Sequence, residues 1–374
     1  MDSSPPQVSG MNEELEEESA PPVTIELLQP DDYHHHFRDE PALEHTVPHA
    51  ARAFRRVLVM PNLVPPVVTT EAALAYRERI LARVPADVPP DSFVPLMTLY
   101  LTDRTSPEEV KKAKASGHVY ALKLYPAGAT TNSDFGVTDY ECIKPALAAM
   151  EECGLLLLVH GESTNQEVDI FERERSFYTE TMPALLDPFP RLRVVCEHVT
   201  SAYGAQFVMN RGPNVAATIT AHHLLHNRNV IFKGGINPHL YCLPILKTEA
   251  DRKALLECAI NGCGGKFFLG TDSAPHALER KESACGCAGI FTAHAAVELV
   301  AEAFERAGHL DALEAFVSRR GAEFYGLEAN TRKRKIVREE WTVPDFYQFG
   351  PSKVRPMRGG QPMAWKLLPA ESDS

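Results

Sequence analysis

Gly154-Leu155-Leu156-Leu157-Leu158-Val159-His160-Gly161-Glu162 carries the clearest strand signal in the chain. Its apolar run is the best in the chain, yet it falls far short of the ~18 residues a spanning helix needs; it is strand-sized. A polar residue, His160, follows the strand directly. Similar runs lie on either side. Val57-Leu58-Val59-Met60, Ser92–Leu99, Val119–Leu124, Leu192–Glu197 and Lys266–Leu269 read as strands. A strand containing His34 and another near Ala216–Ile219 bring the count to about eight. Helical patterns fall between them at Glu71–Val84, Pro107–Ser116, Tyr140–Glu152, Glu167–Glu174, Ala202–Asn210 and Lys253–Gly262. Such alternation predicts a parallel α/β sheet, either doubly wound or closed as a (β/α)8 TIM barrel. No Gly-x-Gly-x-x-Gly follows the first strand, so a dinucleotide fold is unsupported.

A chain of 374 residues suits one barrel-type domain, and 44% apolar residues supply its core. The net charge of −12 argues against nucleic acid or an anionic membrane as partner. Asp2, Glu13, Glu14, Glu16, Glu17 and Glu18 crowd into the first 22 residues, and no Lys or Arg precedes Arg38. Residues 1–22 therefore read as a disordered acidic tail, and not as an Arg-rich presequence. Residues 23–330 are expected to form the barrel. Beyond Gly326 the pattern weakens, so 331–374 are expected to form a C-terminal extension packed on it. Eight scattered Cys without a secretory signal suggest free thiols and a cytoplasmic location.

The chemistry sits at strand ends. In an extended segment His34 and His36 face one side and could share a cation, while His35 faces the other. His160, His198 and Asp272 each come just after an apolar run. In barrels the C-terminal strand ends form the reaction face, and four His and one Asp gathered there read as a metal site. Lys123, within Val119-Tyr120-Ala121-Leu122-Lys123-Leu124-Tyr125, leaves two readings open. It points outward with a packed stem, or it is buried, loses basicity and takes up carbon dioxide as a carbamate that bridges two metals. Arg38, two residues past His36 and expected on the same strand face, offers a planar fork for a carboxylate. Asn62 reads as a turn residue and Thr130-Thr131 as part of a mobile loop. Cys285-Gly286-Cys287 is expected to make a tight turn with free thiols. His222, His223 and His226 are taken as structural or supporting residues.

In this order, His34-x-His36, Lys123, His160, His198 and Asp272 resemble the binuclear amidohydrolase superfamily. Longer blocks narrow the match. Asp31 to Asp39, Met60-Pro61-Asn62-Leu63, Lys123-Leu124-Tyr125-Pro126, Ala129 to Asn132, Asn237 to Pro244, Gly270 to His276 and Cys285 to Gly289 resemble the dihydroorotase family, in its stand-alone bacterial and fungal type. The resemblance implies a TIM barrel and the reversible cyclisation of N-carbamoyl-L-aspartate to (S)-dihydroorotate in pyrimidine biosynthesis. It implies two Zn2+ per subunit, with His34, His36 and Asp272 on one, His160 and His198 on the other, and carboxylated Lys123 and hydroxide bridging. It further implies that Arg38, Asn62 and His276 grip the substrate carboxylate. Backbone groups near Leu243 and Ala288 would hold the ring amides, Thr130 and Thr131 would close over substrate, and Asp272 would shuttle the proton. A homodimer is expected. The rivals are another cyclic amidohydrolase, such as a hydantoinase or dihydropyrimidinase, and an inactive scaffold homologue. The first would leave Arg38 without a purpose; the second is expected to lose ligands, and none is missing.

Overall fold

The computed structural model describes residues 23–89 and 91–370; the acidic stretch 1–22 lies outside the described residues. After a leading strand, Thr24–Leu28 (β1), eight strands form one sheet in chain order. They are Asp31–His35 (β2), Arg56–Val59 (β3), Val94–Leu101 (β4), Val119–Leu124 (β5), Leu156–Val159 (β6), Val194–Cys196 (β7), Val215–Ile219 (β8) and Phe267–Leu269 (β9). Every neighbouring pair is parallel. The sheet closes where β2 meets the chain leaving β9. The Asp272 N–H donates to the His34 carbonyl (2.9 Å) and the His36 N–H to the Ser273 carbonyl (3.1 Å). Asp32 reinforces this seam by accepting from the Thr271 N–H (2.8 Å) and hydroxyl (2.6 Å). Closure selects the barrel over the doubly wound sheet.

Strand residues alternate between two cores, which is why both faces had to be apolar. Leu58, Leu96, Ala121, Leu158, Val195 and Phe268 fill the barrel interior with Tyr33 and Tyr325. Their neighbours Val57, Met97, Leu122, Leu157, Val194 and Phe267 pack outward against the helices. Lys123 shares the parity of Ala121 and lies on the inside.

The strands fall where the sequence places them, within a residue or two. The helices differ more. The segment expected over Glu167–Glu174 begins only at Arg173 and runs through a π-helical turn, Phe177–Thr181, to Leu186. Ahead of it Asn165 and Asp169 accept from the Glu167 and Phe171 N–H groups, a local side-chain capping that competes with helix. Glu174 is buried and pins this helix by accepting from the N–H and hydroxyl groups of Thr200 and Ser201. Two further helices, Leu43–Ala53 with Pro48 inside it and Ala296–Ala307, have no counterpart in the sequence reading.

β1 lies outside the barrel. It pairs antiparallel with Lys333–Val337 (β10), and Lys366–Leu367 adds a third strand. Trp365 is fully buried; its indole N–H donates to Glu305 (3.0 Å), and the Leu367 N–H donates to Glu298 (3.0 Å). Both carboxylates belong to the helix Ala296–Ala307, so the C-terminal segment is fastened to the barrel's outer layer. Among the described residues no helix is long and apolar enough to cross a membrane.

Candidate active site

The C-terminal ends of the strands converge on one cluster. His34 is on β2 and His36 just beyond it, and their Nε2 atoms lie 3.2 Å apart. Asp272 Oδ1 is 3.4 Å from the first and 3.1 Å from the second. The approach of β9 depends on Gly270, where an added Cβ would lie 2.7 Å from the Thr218 Cβ and 2.9 Å from the His34 Cβ. Asp272 (φ 43°) and His198 (φ 40°) both hold the left-handed backbone conformation, which is uncommon and strained for residues other than glycine. His160 follows β6 and His198 follows β7. The His198 ring centroid is 4.9 Å from that of His34 and 4.9 Å from that of His160.

Carboxylates behind the imidazoles set their tautomers. Glu197 accepts from His34 Nδ1 (2.7 Å), which leaves the Nε2 lone pair facing the cluster. Thr218 Oγ1 donates to the same Glu197 oxygen (2.6 Å). Glu162 lies 2.7 Å from His160 Nε2, which leaves Nδ1 for a ligand role. His35 turns away, 2.8 Å from Asp32 through its Nδ1. Sequence reading singled out neither Glu197 nor Glu162 for a role. Their positions, one residue before His198 and two after His160, were the available signal.

Lys123 is completely buried, and among the described residues its Nζ has no hydrogen-bond partner. A bare ammonium there is costly, and burial pushes the amine down to about 8 against the pull of Glu197 and Asp272. Burial likewise drives His34, His36 and His198 well below the usual imidazole range, with Lys123 adding to the effect. It lifts the Asp272 carboxyl to about 6 and that of Glu197 to about 7. A buried set of neutral imidazoles, one carboxylate, an orphaned lysine amine and an unpartnered His198 Nδ1 fits divalent metal ions.

Arg38 reaches the cavity by a different route from that expected. β2 ends at His35, and Arg38 takes a left-handed backbone (φ 64°), so a turn aims it where strand alternation was expected to. Its Nε donates to the Pro275 carbonyl (3.0 Å), and its Nη2 lies 3.0 Å from His276 Nε2. That imidazole nitrogen is also 2.9 Å from the Ala288 carbonyl. Asn62 donates to the Thr131 carbonyl (3.0 Å), and the Thr131 hydroxyl donates to Ala288 (3.3 Å). Leu243, Thr130 and Tyr125 line the same cavity, which encloses about 20 Å³. Tyr125, whose ring lies 5.2 Å from the Lys123 Nζ, had been quoted only as a neighbour in the sequence.

His222 and His223 lie nearby on the segment after β8. Together with Cys242 they form a second buried group whose potential ligand atoms lie within 4.8 Å of one another. His223 is engaged by Thr220 (2.7 Å) and the Pro244 carbonyl (3.2 Å), in keeping with a structural place. Cys285 and Cys287 are free thiols with sulfurs 3.6 Å apart.

The model of the Amidohydrolase family matches residues 32–331. A dihydroorotase of Aromatoleum aromaticum is 57% identical over 346 residues, which cover 92% of this chain and 99% of that relative. The crystal structure of dihydroorotase from Campylobacter jejuni superposes with a TM-score of 0.84 at 35% identity, covering 92% of this chain and 98% of its own. Dihydroorotase from Saccharomyces cerevisiae, in complex with 5-fluoroorotic acid, also gives 0.84, at 29% identity, with 93% and 99% covered. Near-complete coverage at this identity, on a barrel that gathers the buried His, Lys and Asp residues at one end, means that the chain belongs to the dihydroorotases of the amidohydrolase family.

Proposed function

We propose that the site hydrolyses and re-forms the ring amide of (S)-dihydroorotate, interconverting it with N-carbamoyl-L-aspartate. The observation that carries this reading is the Arg38–His276 pair set beside the His34, His36 and Asp272 cluster. A hydrolytic centre with a fixed guanidinium fork at its edge suits a cyclic amide that bears a carboxylate. A hydantoin or dihydrouracil would give Arg38 nothing to hold.

Two Zn2+ ions would be held by His34, His36 and Asp272 and by His160 and His198, with Lys123 as the carbamate between them. Bound there, they would acidify a water toward neutral pH and polarise the ring carbonyl. The chain's own residues do the rest. Arg38, with Asn62 and His276, anchors the substrate carboxylate, and backbone groups at Leu243 and Ala288 hold the ring amides. Asp272, whose carboxylate faces His34 and His36, takes the proton of the attacking water. The ring C–N bond then breaks, and Asp272 passes that proton to the departing nitrogen. The reverse sequence closes the ring and releases water.

A cavity of about 20 Å³ holds little more than one water. Substrate entry therefore requires the loop carrying Thr130 and Thr131 to lift, and its return excludes bulk water. Residues 23–330 are the proposed catalytic unit, with 331–374 as a brace against it, and the working state is a homodimer, which light scattering tests. For the metal assignment, chelation should abolish ring opening and added Zn2+ restore it, with two equivalents bound per chain. Full turnover by metal-free protein would overturn the assignment.

A further inference from the structure

A second, larger cavity of about 670 Å³ lies outside the catalytic centre and, among the described residues, shares no lining residue with it. It opens between the helix Leu43–Ala53, the helix Ala296–Ala307 and the small sheet built on β10. Its volume falls in the range of roughly 300–1,000 Å³ typical of small-molecule sites. Arg52, Arg332, Lys333 and Arg334 line it, against Glu26, Asp87 and Glu298. The lining carries four cationic side chains against three carboxylates, a small local excess of positive charge in a chain of net charge −12.

Two inner groups have bonding capacity to spare. Arg334 is 6% exposed; its Nη2 donates to the Leu368 carbonyl (2.7 Å), while its Nε is buried without a partner among the described residues. His294 is enclosed, and neither ring nitrogen makes a well-formed hydrogen bond, the Met357 backbone being the polar group that acts on it. At the rim, Arg52 pairs with Asp87 and Lys333 with Glu26. Both pairs are exposed, and such pairs are weak enough to exchange partners. Glu298 accepts from the Leu367 N–H, and burial lifts it to about 7, which blunts its repulsion of an incoming anion. Val88, Pro89 and Leu367 add apolar wall for the body of a ligand.

We propose that this cavity binds an organic anion of nucleotide size, its phosphate or carboxylate held by Arg334 and His294 and its charge met at the rim by Arg52 and Lys333. The test is calorimetry on the metal-loaded full chain, in the presence of saturating dihydroorotate to block the catalytic centre. The probes are uridine and adenosine monophosphates, citrate and inorganic phosphate. At least one organic probe should bind with half-saturation below about 1 mM. Binding should weaken about tenfold or more in a Arg52→Glu, Lys333→Glu double variant and in His294→Leu, with ring-opening turnover unchanged. A nucleotide preference would assign the phosphate form, and a citrate preference the carboxylate form. The proposal is overturned if no organic probe binds, if inorganic phosphate binds alone, if dihydroorotate displaces the probe, or if the double variant binds like the parent.

Discussion

Replacing Arg38 with Met removes the guanidinium fork and leaves the rest of the site standing. The backbone at position 38 is left-handed (φ 64°), and Met meets the same cost there as Arg, so the turn is preserved. Within the protein the variant loses the Nε–H donation to Pro275 and the contact with His276. The larger loss falls on the substrate. A hydrogen bond to a charged group contributes about 1.5–3 kcal/mol, and leaving a buried carboxylate without its partner costs about 2–5 kcal/mol. At about 1.4 kcal/mol per decade, kcat/KM for dihydroorotate should fall roughly 10²- to 10³-fold. The loss should appear mainly in KM, because the carboxylate is held alike in ground and transition states. Dihydrouracil has no carboxylate and supplies the internal control. The assay is ring opening followed by ultraviolet absorbance on both substrates, with circular dichroism to confirm folding. A folded variant whose preference for dihydroorotate stays within about threefold of the parent would rule out Arg38 as the carboxylate's partner, since loss of a buried charge partner cannot be that small.

Other expectations follow from the same geometry. Lys123→Ala should lose metal and turnover together; a variant that keeps two bound Zn2+ and normal activity would rule out the carbamate. Glu197→Gln weakens the lock on the His34 tautomer and should lower metal affinity about 10- to 100-fold, measured by competition with a chelator; an unchanged affinity would remove Glu197 from the site. Gly321→Ala drives a Cβ to 2.1 Å from the Tyr33 ring and should cost about 1–3 kcal/mol in urea unfolding, so a neutral result would contradict the packing described. For pH, His34, His36, His49, His198, His222, His223, His226, His276 and His294 are all held below the ordinary imidazole value by burial. The unfolded chain binds more protons at these residues, so stability is full above about 6.5 and is lost as pH falls below it, by about 1.4 kcal/mol per pH unit for each net proton. Asp31, Glu174, Glu197, Asp272 and Glu298, raised by burial, act in the opposite direction but are five against nine. Metal-free protein titrated from pH 8 to 5 should unfold at progressively lower urea; a flat or rising midpoint would contradict the burial of these imidazoles.

Much of the barrel was legible because its strands carry their signal locally. Runs such as Leu155–Val159 are apolar at every position since one parity faces the interior core and the other the helices. Their polar followers, His160, His198 and Asp272, stand out against that background. The buried cluster at the strand ends was readable for the same reason, and the resemblance then supplied the proposed roles. What stayed hidden depends on long-range geometry. The left-handed backbone at His198, Asp272 and Arg38 has no local signature, since none of these is a glycine. Glu197 looks like an ordinary end-of-strand carboxylate until His34, 163 residues away, is brought to 2.7 Å. The helix Leu43–Ala53 is masked by Pro48 in its interior, where proline normally breaks a helix. The union of β1 with β10 joins segments some 300 residues apart and left no trace in either.

The proposed reaction is a metal-dependent ring hydrolysis that requires a carboxylate on the substrate. Its most direct test measures ring opening of dihydroorotate, dihydrouracil and hydantoin on one sample whose metal content is determined in parallel. Dihydroorotate alone should open rapidly, in proportion to bound metal up to two equivalents. Comparable rates on all three rings, or turnover independent of metal content, would contradict it.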